Sequence, residues 1–409
     1  MSSRPLSVLV VDDSALMRNL VSRILESASD ITVCGTAMNG KFALQKIERM
    51  KPDCVVLDIE MPEMNGLEFL GERRSRGLEI PVIVLSSVVT KGAKVTMEAL
   101  SLGASDFILK PSGAISEDIQ SVGGQLIAQV RSYGGAYRRK RTDEPSPPAE
   151  AAPAGDGPAS DAAEAAASGA ASAADAPTTT PAPDRQFQRD GVEASVATTP
   201  RITTERIVPK TEPTALELIA IGISTGGPNA LRRIMAEIDA EIGLPIVIVQ
   251  HMPEGFTAEF AKSLDRVCPL EVREAADGDL LKAGRVMIAP GNRHMLVERR
   301  RLANVVRIDD GPPCNGHRPS VDVLFESIAH AYGNHAMAVI MTGMGKDGAA
   351  QIGEIYRRGG LTVAQDKESS VVYGMPKVAV DHGFIRHQFG LNEMAAELSR
   401  LAKEYRKQG

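Results

Sequence analysis

Leu218-Ile219-Ala220-Ile221-Gly222-Ile223-Ser224-Thr225-Gly226-Gly227-Pro228 runs from an apolar stretch through one serine into paired glycines and a proline. A short apolar run that stops at a glycine-rich turn and gives way to a helical pattern reads as a buried strand followed by a helix, the repeating unit of an α/β sheet. The G-x-S-x-G spacing sets Ser224 on the sharp turn between the two. There its hydroxyl projects above the sheet, with backbone N–H groups and a helix N-terminus near enough to receive an oxyanion. A nucleophile suits this place, but so do two other uses: a serine N-cap, or a glycine turn that cradles phosphate.

Outward from this turn, apolar strands at 218–223, 245–249, 285–289, 336–341 and 361–364 interleave with helical patterns at 228–238, 255–266, 320–331, 346–357 and 393–405. The alternation predicts a parallel α/β sheet. Segments 296–298 and 305–308, flanking 299–301, read as an antiparallel hairpin added to it. In a parallel sheet the reactive rim holds whatever follows each strand. Here that is Ser224, then Gln250-His251-Met252-Pro253, then Thr342-Gly343-Met344-Gly345-Lys346-Asp347-Gly348. A hydroxyl needs an adjacent base to become nucleophilic near neutral pH, and the base needs a carboxylate to fix its tautomer. His251 is the best base by position. His294 and His317 lie in loops that could approach the same rim, His330 and His335 read as helix-end or turn residues, and His382 and His387 are unplaced. Asp347 leads as the orienting acid because it follows a buried strand, with Asp322 and Asp366 as alternatives. The order Ser, His, Asp differs from that of α/β-hydrolases, so the shared serine turn does not assign that fold. Residues 222–227 do not spell G-x-G-x-x-G either, which argues against a dinucleotide site.

A length of 409 residues fits two ordinary domains and a connector. The net charge of −6 gives no basic footprint for nucleic acid, and Arg138-Arg139-Lys140-Arg141 reads as the solvated end of a helix. Cys34, Cys54, Cys268 and Cys314 form no C-x-x-C pair, which argues against a disulfide framework or zinc site and for a reducing, cytoplasmic setting. The N-terminal apolar run meets Asp12-Asp13 after Val11, and no later run reaches the roughly 20 residues of a membrane span. Direct membrane insertion is therefore not expected. The expected domains are 4–133 and 214–407, joined by a connector over 134–213. From Arg141 to Thr204 that connector is dominated by Ala, Pro, Ser, Thr, Gly and Asp, which predicts disorder. As a flexible coil its reach is roughly 45 Å, so domain docking must depend on the folded surfaces.

The first domain repeats a βα pattern five times, with strands near 7–11, 31–34, 54–57, 82–85 and 106–109 and helices starting near Ser14, Gly40, Gly66, Gly92 and Ile115. This predicts a second doubly wound sheet. Its strand ends carry Asp12, Asp13, Asp58, Ser86 and Lys110. Three clustered carboxylates need a counter-charge, and a hard divalent cation such as Mg²⁺ is the natural one.

The segments Val10-Val11-Asp12-Asp13-Ser14, Leu57-Asp58-Ile59-Glu60-Met61-Pro62-Glu63-Met64-Asn65-Gly66, Leu85-Ser86-Ser87 and Leu109-Lys110-Pro111 resemble the receiver domain of two-component response regulators. That resemblance implies a flavodoxin-like fold in which Asp58 accepts a phosphoryl group from a chemotaxis histidine kinase. Asp13, Asp58 and the Glu60 carbonyl would ligate Mg²⁺, Asp12 would support it and Lys110 would pair with phosphoryl oxygens. Ser86 and Phe107 would be the switch hydroxyl and the coupled aromatic, and Lys110-Pro111 a cis peptide bond.

The second domain, through Gly222 to Pro228, Gln250-His251-Met252-Pro253, Ala289-Pro290-Gly291 with His294-Met295, His317-Arg318-Pro319-Ser320-Val321-Asp322, Thr342 to Gly348, and Gly374-Met375-Pro376, resembles the catalytic domain of chemotaxis protein-glutamate methylesterases. A receiver ahead of this domain is that family's own arrangement. The resemblance implies a Rossmann-like domain with Ser224 as nucleophile, His251 as base and Asp347 as orienter. The backbone N–H groups of Met344 and Thr225 would receive the oxyanion, and His294 and His317 would be active-site lining or structure. It further implies hydrolysis of glutamyl methyl esters on chemoreceptors, with deamidation of glutamine as a second activity and no cofactor for the ester step. Two other readings remain beside it: the same enzyme serving a non-motility receptor array, and an adaptor binding a phosphorylated ligand at Gly226-Gly227 without covalent chemistry.

Overall fold

The computed structural model describes residues 4–86, 90–110, 116–143, 209 and 211–406. The expectations for Ser87, for the Lys110-Pro111 bond and for 144–208 of the connector fall outside these residues.

The first domain runs β1 (Leu6–Val11), α1 (Ala15–Glu26), β2 (Ile31–Ala37), α2 (Gly40–Met50), β3 (Cys54–Asp58), α3 (Gly66–Ser75), β4 (Val82–Ser86), α4 (Thr90–Ser101), β5 (Asp106–Leu109) and α5 (Ser116–Asp143). The five strands pair in parallel in the order β2-β1-β3-β4-β5. Continuous burial along β3 and β4 reflects helices on both faces of the sheet. Local sequence signals set the helix starts. Ser14 and Asn39 cap α1 and α2, and Asn65 with Glu68 forms a capping box on α3.

The second domain runs β6 (Leu218–Ile223), α6 (Gly227–Glu237), β7 (Ile246–Gln250), α7 (Phe256–Asp265), β8 (Glu271–Glu274), β9 (Arg285–Ile288), β10 (His294–Arg299), β11 (Asn304–Asp309), α8 (Val321–Ala331), β12 (Ala336–Ile340), α9 (Ala349–Arg357), β13 (Leu361–Gln365), α10 (Met375–Asp381), β14 (His387–Phe389) and α11 (Leu391–Glu404). Seven strands form a parallel sheet in the order β14-β13-β12-β6-β7-β9-β8. The chain moves from β6 to β7 on one side and later returns to β12 on the other. The crevice above β6 is therefore the topological switch point, where α/β sheets bind their ligands. No described helix is long and apolar enough to cross a membrane.

Both domains are thus the doubly wound α/β folds expected, with three departures. The hairpin β10-β11 is antiparallel as expected but forms its own two-stranded sheet rather than extending the large one. Its inner face, with Met295, Val297, Val306 and Ile308, packs instead into the core around α8. The edge strands β8 and β14 and the helix α10 carried no sequence signal, being short and, for the strands, largely polar. Finally, α5 continues past residue 133 to Asp143, into the range expected of the connector. Arg138 and Arg141 of the basic run are anchors here, both pairing with the buried carboxylate of Asp53, with Arg141 Nη2 3.0 Å from Asp53 Oδ1. Burial alone would raise the pKa of Asp53, but Arg138 and the Ser7 hydrogen bonds hold it below its ordinary value.

Candidate active site

Adjacent strands β12, β6 and β7 deliver three side chains to the switch-point crevice. Ser224 follows β6 directly, and its backbone is fixed from several sides. Its N–H donates to Thr342 O at 2.9 Å, while its carbonyl accepts from Gly227 N at 2.8 Å and Gln250 Nε2 at 3.0 Å. Gly226 at the start of α6 has φ 80°, a conformation L side chains resist, and an added Cβ would lie 2.6 Å from Val371. Glycine is the residue that lets the chain turn this sharply after Ser224.

His251 follows β7. Its Nδ1 lies 3.1 Å from Ser224 Oγ and its Nε2 lies 2.8 Å from Asp347 Oδ2. Asp347, in the turn before α9, is 1% exposed. Its Oδ1 accepts from Ser320 Oγ at 2.7 Å and Asn315 Nδ2 at 2.8 Å, and its Oδ2 accepts from Val321 N at 2.7 Å. Burial pushes this carboxyl's pKa up, yet the hydrogen bonds from His251, Asn315 and Ser320 outweigh that and hold it far below the carboxylate range. An ionised Asp347 can only accept, so His251 Nε2 carries the hydrogen and Nδ1 is left as an acceptor facing Ser224 Oγ, the arrangement a general base requires. The two ring nitrogens are used in the reverse sense from the chymotrypsin arrangement, with the same logic of roles.

The backbone amides beside the serine complete the site. Gly343 N is taken by Val372 O at 3.0 Å, whereas among the described residues no acceptor engages the N–H of Met344 or Thr225. Both residues line a cavity of about 510 Å³ that also contains Ser224 and His251.

Of the remaining histidines, His317 stacks on His251 with ring centroids 3.9 Å apart. His294 is structural: its Nε2 donates to Pro312 O at 3.0 Å and its Nδ1 accepts from Ser320 N at 3.2 Å. His330 and His335 bond to backbone carbonyls at the end of α8 and in the turn after it, and His387 lies on edge strand β14. Asp322 stands beside Asp347 rather than replacing it, and Asp366 caps its own loop through Ser369. Sequence reading missed Asn315 and Ser320 as supports of Asp347. Two signals could have found them: the Asn315-Gly316 turn dipeptide, and Ser320 as the N-cap of α8.

The cavity's other wall belongs to the first domain, through Asp106 to Leu109, Gln125 and Gln129. Asp106 Oδ2 accepts from Gly226 N at 2.9 Å, two residues from Ser224. Asn229 Nδ2 donates to the carbonyls of Ala104 and Ser105 at 2.9 and 2.7 Å. Phe107 stacks on Phe256 at 5.4 Å, Ser132 Oγ donates to Val371 O, and α4 packs on α7. Burial in this contact pushes the Asp106 carboxyl up to about 6 despite the amides donating to it. The face formed by α4, β5 and α5 therefore covers the serine crevice.

On the first domain's own rim, Lys110 Nζ lies 2.6 Å from Asp58 Oδ2 and 3.1 Å from Asp12 Oδ2. Carboxylate oxygens of Asp12, Asp13 and Asp58 fall within 4.8 Å of one another. This all-oxygen set of hard donors fits Mg²⁺. Burial pushes Asp58 up, with Lys110 opposing it. Ser86, at the end of β4, shares a 2.6 Å hydrogen bond with Thr96.

Comparison with known proteins finds a family for each half of the chain. The CheB methylesterase family model matches residues 219–398, and the response regulator receiver domain model matches residues 8–119. A protein-glutamate methylesterase/protein-glutamine glutaminase of Treponema pallidum (strain Nichols) is 47% identical over 99% of this chain and 99% of its own. The protein of the same name from Treponema denticola is 47% identical over 97% of this chain and 98% of its own. Among solved structures, the Thermotoga maritima CheB methylesterase catalytic domain is 37% identical, covering 46% of this chain and all of its own, with a TM-score of 0.45.

Proposed function

Because this chain belongs to the CheB methylesterase family, with a receiver domain ahead of its methylesterase domain, we propose that it is a phosphorylation-activated serine hydrolase that demethylates glutamyl methyl esters on chemoreceptors and deamidates their glutamines. The observation that carries this reading is the unbroken hydrogen-bond chain from Ser224 Oγ through His251 to ionised Asp347 at the switch point of the sheet. An adaptor that merely cradles phosphate would have no use for such a chain. We assign the protein to the cytoplasm, where the receptors' signalling ends and a histidine kinase donor would be met.

In the reaction, His251 Nδ1 takes the proton of Ser224 as Oγ attacks the ester carbonyl. The tetrahedral oxyanion is received by the N–H groups of Thr225 and Met344. Its collapse breaks the bond to the methoxy oxygen, which takes the proton back from His251 and leaves as methanol. Water, deprotonated by the same nitrogen, attacks the acyl-serine and releases glutamate and free Ser224. With a glutamine side chain the first leaving group is ammonia. This chemistry uses Ser224, His251, Asp347 and backbone donors, and no further group enters the ester step. The test is a fluorophosphonate probe. It is expected to label Ser224 in wild type and not in His251→Ala, and an unlabelled wild type would sink the reading.

The receiver supplies the control. Asp58 would accept the phosphoryl group, with Asp13, Asp58 and the Glu60 carbonyl holding Mg²⁺, Asp12 supporting it and Lys110 pairing with the phosphoryl oxygens. The ion would neutralise charge on the phosphoryl group during transfer. New negative charge at Asp58 gives Ser86 a better partner than Thr96. A move of Ser86 toward that charge would be passed through the paired strands β4 and β5 to Phe107, which lines the crevice and whose ring stacks on Phe256. Phe107→Ala removes that stack, and aromatic pairs contribute about 0.5–1.5 kcal/mol beyond area burial, so hydrolysis by the unphosphorylated protein is expected to rise several-fold. A stopped assay of basal methanol release checks this, and no rise would mean that the contact does not restrain the site. Asp58→Asn, or chelation of divalent metal in wild type, is expected to abolish activation by a small-molecule phosphodonor and leave basal turnover intact. Loss of basal turnover on chelation would contradict this division of labour.

A further inference from the structure

Cys314 and His317 exchange both backbone hydrogen bonds, at 3.0 and 2.9 Å, and so close a two-residue turn. Its central residues, Asn315 at φ 53° and Gly316 at φ 79°, are both left-handed. That is the condition of a type I′ turn, for which Asn-Gly is the preferred pair. The turn reaches the catalytic chain at two points. Asn315 Nδ2 gives one hydrogen to Asp347 Oδ1 at 2.8 Å and the other to Asp322 Oδ2 at 2.7 Å. The His317 ring lies on the His251 ring, 3.9 Å between centroids and 11° from parallel. One four-residue turn therefore grips both the acid and the base.

Each contact removes a freedom that the reaction cannot tolerate. Asp347 can serve His251 only while its carboxylate keeps one rotation about the Cβ–Cγ bond, and Asn315 and Ser320 hold Oδ1 so that Oδ2 faces the imidazole. Without Asn315, two buried carboxylates would face each other with no shared donor. Burial and then the charge of Asp347 already push Asp322 up, although the Gln351 amide opposes them. His251 must keep its ring plane while Nδ1 cycles between Ser224 and the leaving group, and a flat ring stacked on it fixes that plane. Burial, and next the charge of His251, push the His317 pKa down to about 4, so the stacked ring is neutral at pH 7 and puts no second positive charge beside the imidazolium.

We propose that Asn315 and His317 are positioning residues of the hydrolytic site, the turn between them locking the Asp347 carboxylate and the His251 ring so that Nδ1 stays on Ser224 Oγ. This rests on the serine-hydrolase reading above. The test uses the full chain with three substitutions. Asn315→Gly removes the amide and tolerates the left-handed backbone, His317→Ala removes the stack, and His317→Phe keeps a flat uncharged ring. Rate constants for fluorophosphonate labelling of Ser224, kcat and KM for methyl-ester hydrolysis, and thermal midpoints are measured together. Misplacement of reacting groups by about 1 Å can lower rates by about 100-fold. The expected result is a fall of that size in kcat and labelling rate for Asn315→Gly and His317→Ala, with KM and midpoint unchanged, and recovery of most of the loss in His317→Phe. Wild-type rates in Asn315→Gly or His317→Ala overturn the proposal, as does a loss that follows the midpoint and is not recovered by Phe. If wild type itself fails to label at Ser224, the serine-hydrolase reading falls and this proposal with it, a result distinct from variants that label as fast as wild type.

Discussion

Ser224→Ala is expected to lower ester hydrolysis by about 10⁴- to 10⁶-fold while leaving the fold intact. The hydroxyl makes one contact that chemistry needs, to His251 Nδ1, whereas the turn is held by backbone bonds from Ser224 N to Thr342 O and from Gly227 N and Gln250 Nε2 to Ser224 O. Removal of Oγ leaves all three in place. Circular dichroism and thermal melting should match wild type, and the residual rate should reflect only the Thr225 and Met344 amides acting on a bound ester and water. A variant that retained a tenth of wild-type turnover would mean that the ester is attacked by water directly, and the covalent route would be wrong.

Asp347→Asn is expected to cost about 10⁴-fold in kcat, close to the Ser224 loss but for a different reason. The neutral amide is nearly isosteric, but its NH₂ group can face His251 Nε2 only by donating. The imidazole hydrogen then moves to Nδ1, where it meets Ser224 Oγ, and the base is lost. The alternative orientation, with the amide oxygen toward Nε2, sets the NH₂ group against the hydrogens that Ser320 and Asn315 now donate to Oδ1. Because Asp347 is held far below the carboxylate range, it stays ionised throughout the mildly acidic range, so the acid limb of the wild-type pH profile does not arise from its protonation. Activity of the Asn variant should rise with hydroxide concentration, because hydroxide can take the Ser224 proton that Nδ1 no longer accepts, and no such upturn should appear in Ser224→Ala. An Asn variant within tenfold of wild type would contradict the orienting role of Asp347.

Much of this was legible because local and global signals agree. The apolar runs at 54–57 and 218–223 are strands buried on both faces, and the residues that follow them, Asp58 and Ser224, stand on the rims as parallel-sheet logic requires. Asn65 with Glu68 announces the start of α3 in four residues. Where signals were tertiary, the sequence was mute. Strand β14 spans His387–Phe389 and is a strand only because β13 pairs with it. The hairpin's separation from the large sheet follows from the way its apolar face meets α8, which no local pattern encodes. The extension of α5 depends on Asp53, some 85 residues distant, as the buried partner of Arg138 and Arg141. At the site, type and order pointed to Ser224, His251 and Asp347, with Asp347 ahead of Asp322 because it follows a buried strand, whereas the 2.8 Å approach of His251 Nε2 to Asp347 Oδ2 is a tertiary feature that no local pattern encodes.

The central claim is that one Ser-His-Asp chain, restrained by a receiver lying over it, hydrolyses receptor methyl esters when Asp58 is phosphorylated. The most direct measurement is methanol release from methyl-labelled chemoreceptor membranes by wild type, Ser224→Ala and Asp58→Asn, each with and without a small-molecule phosphodonor. The account predicts release by wild type that rises with the phosphodonor, a low release by Asp58→Asn that does not respond to it, and none above background by Ser224→Ala. Release by Ser224→Ala at the wild-type rate, or stimulation of Asp58→Asn equal to that of wild type, would contradict it.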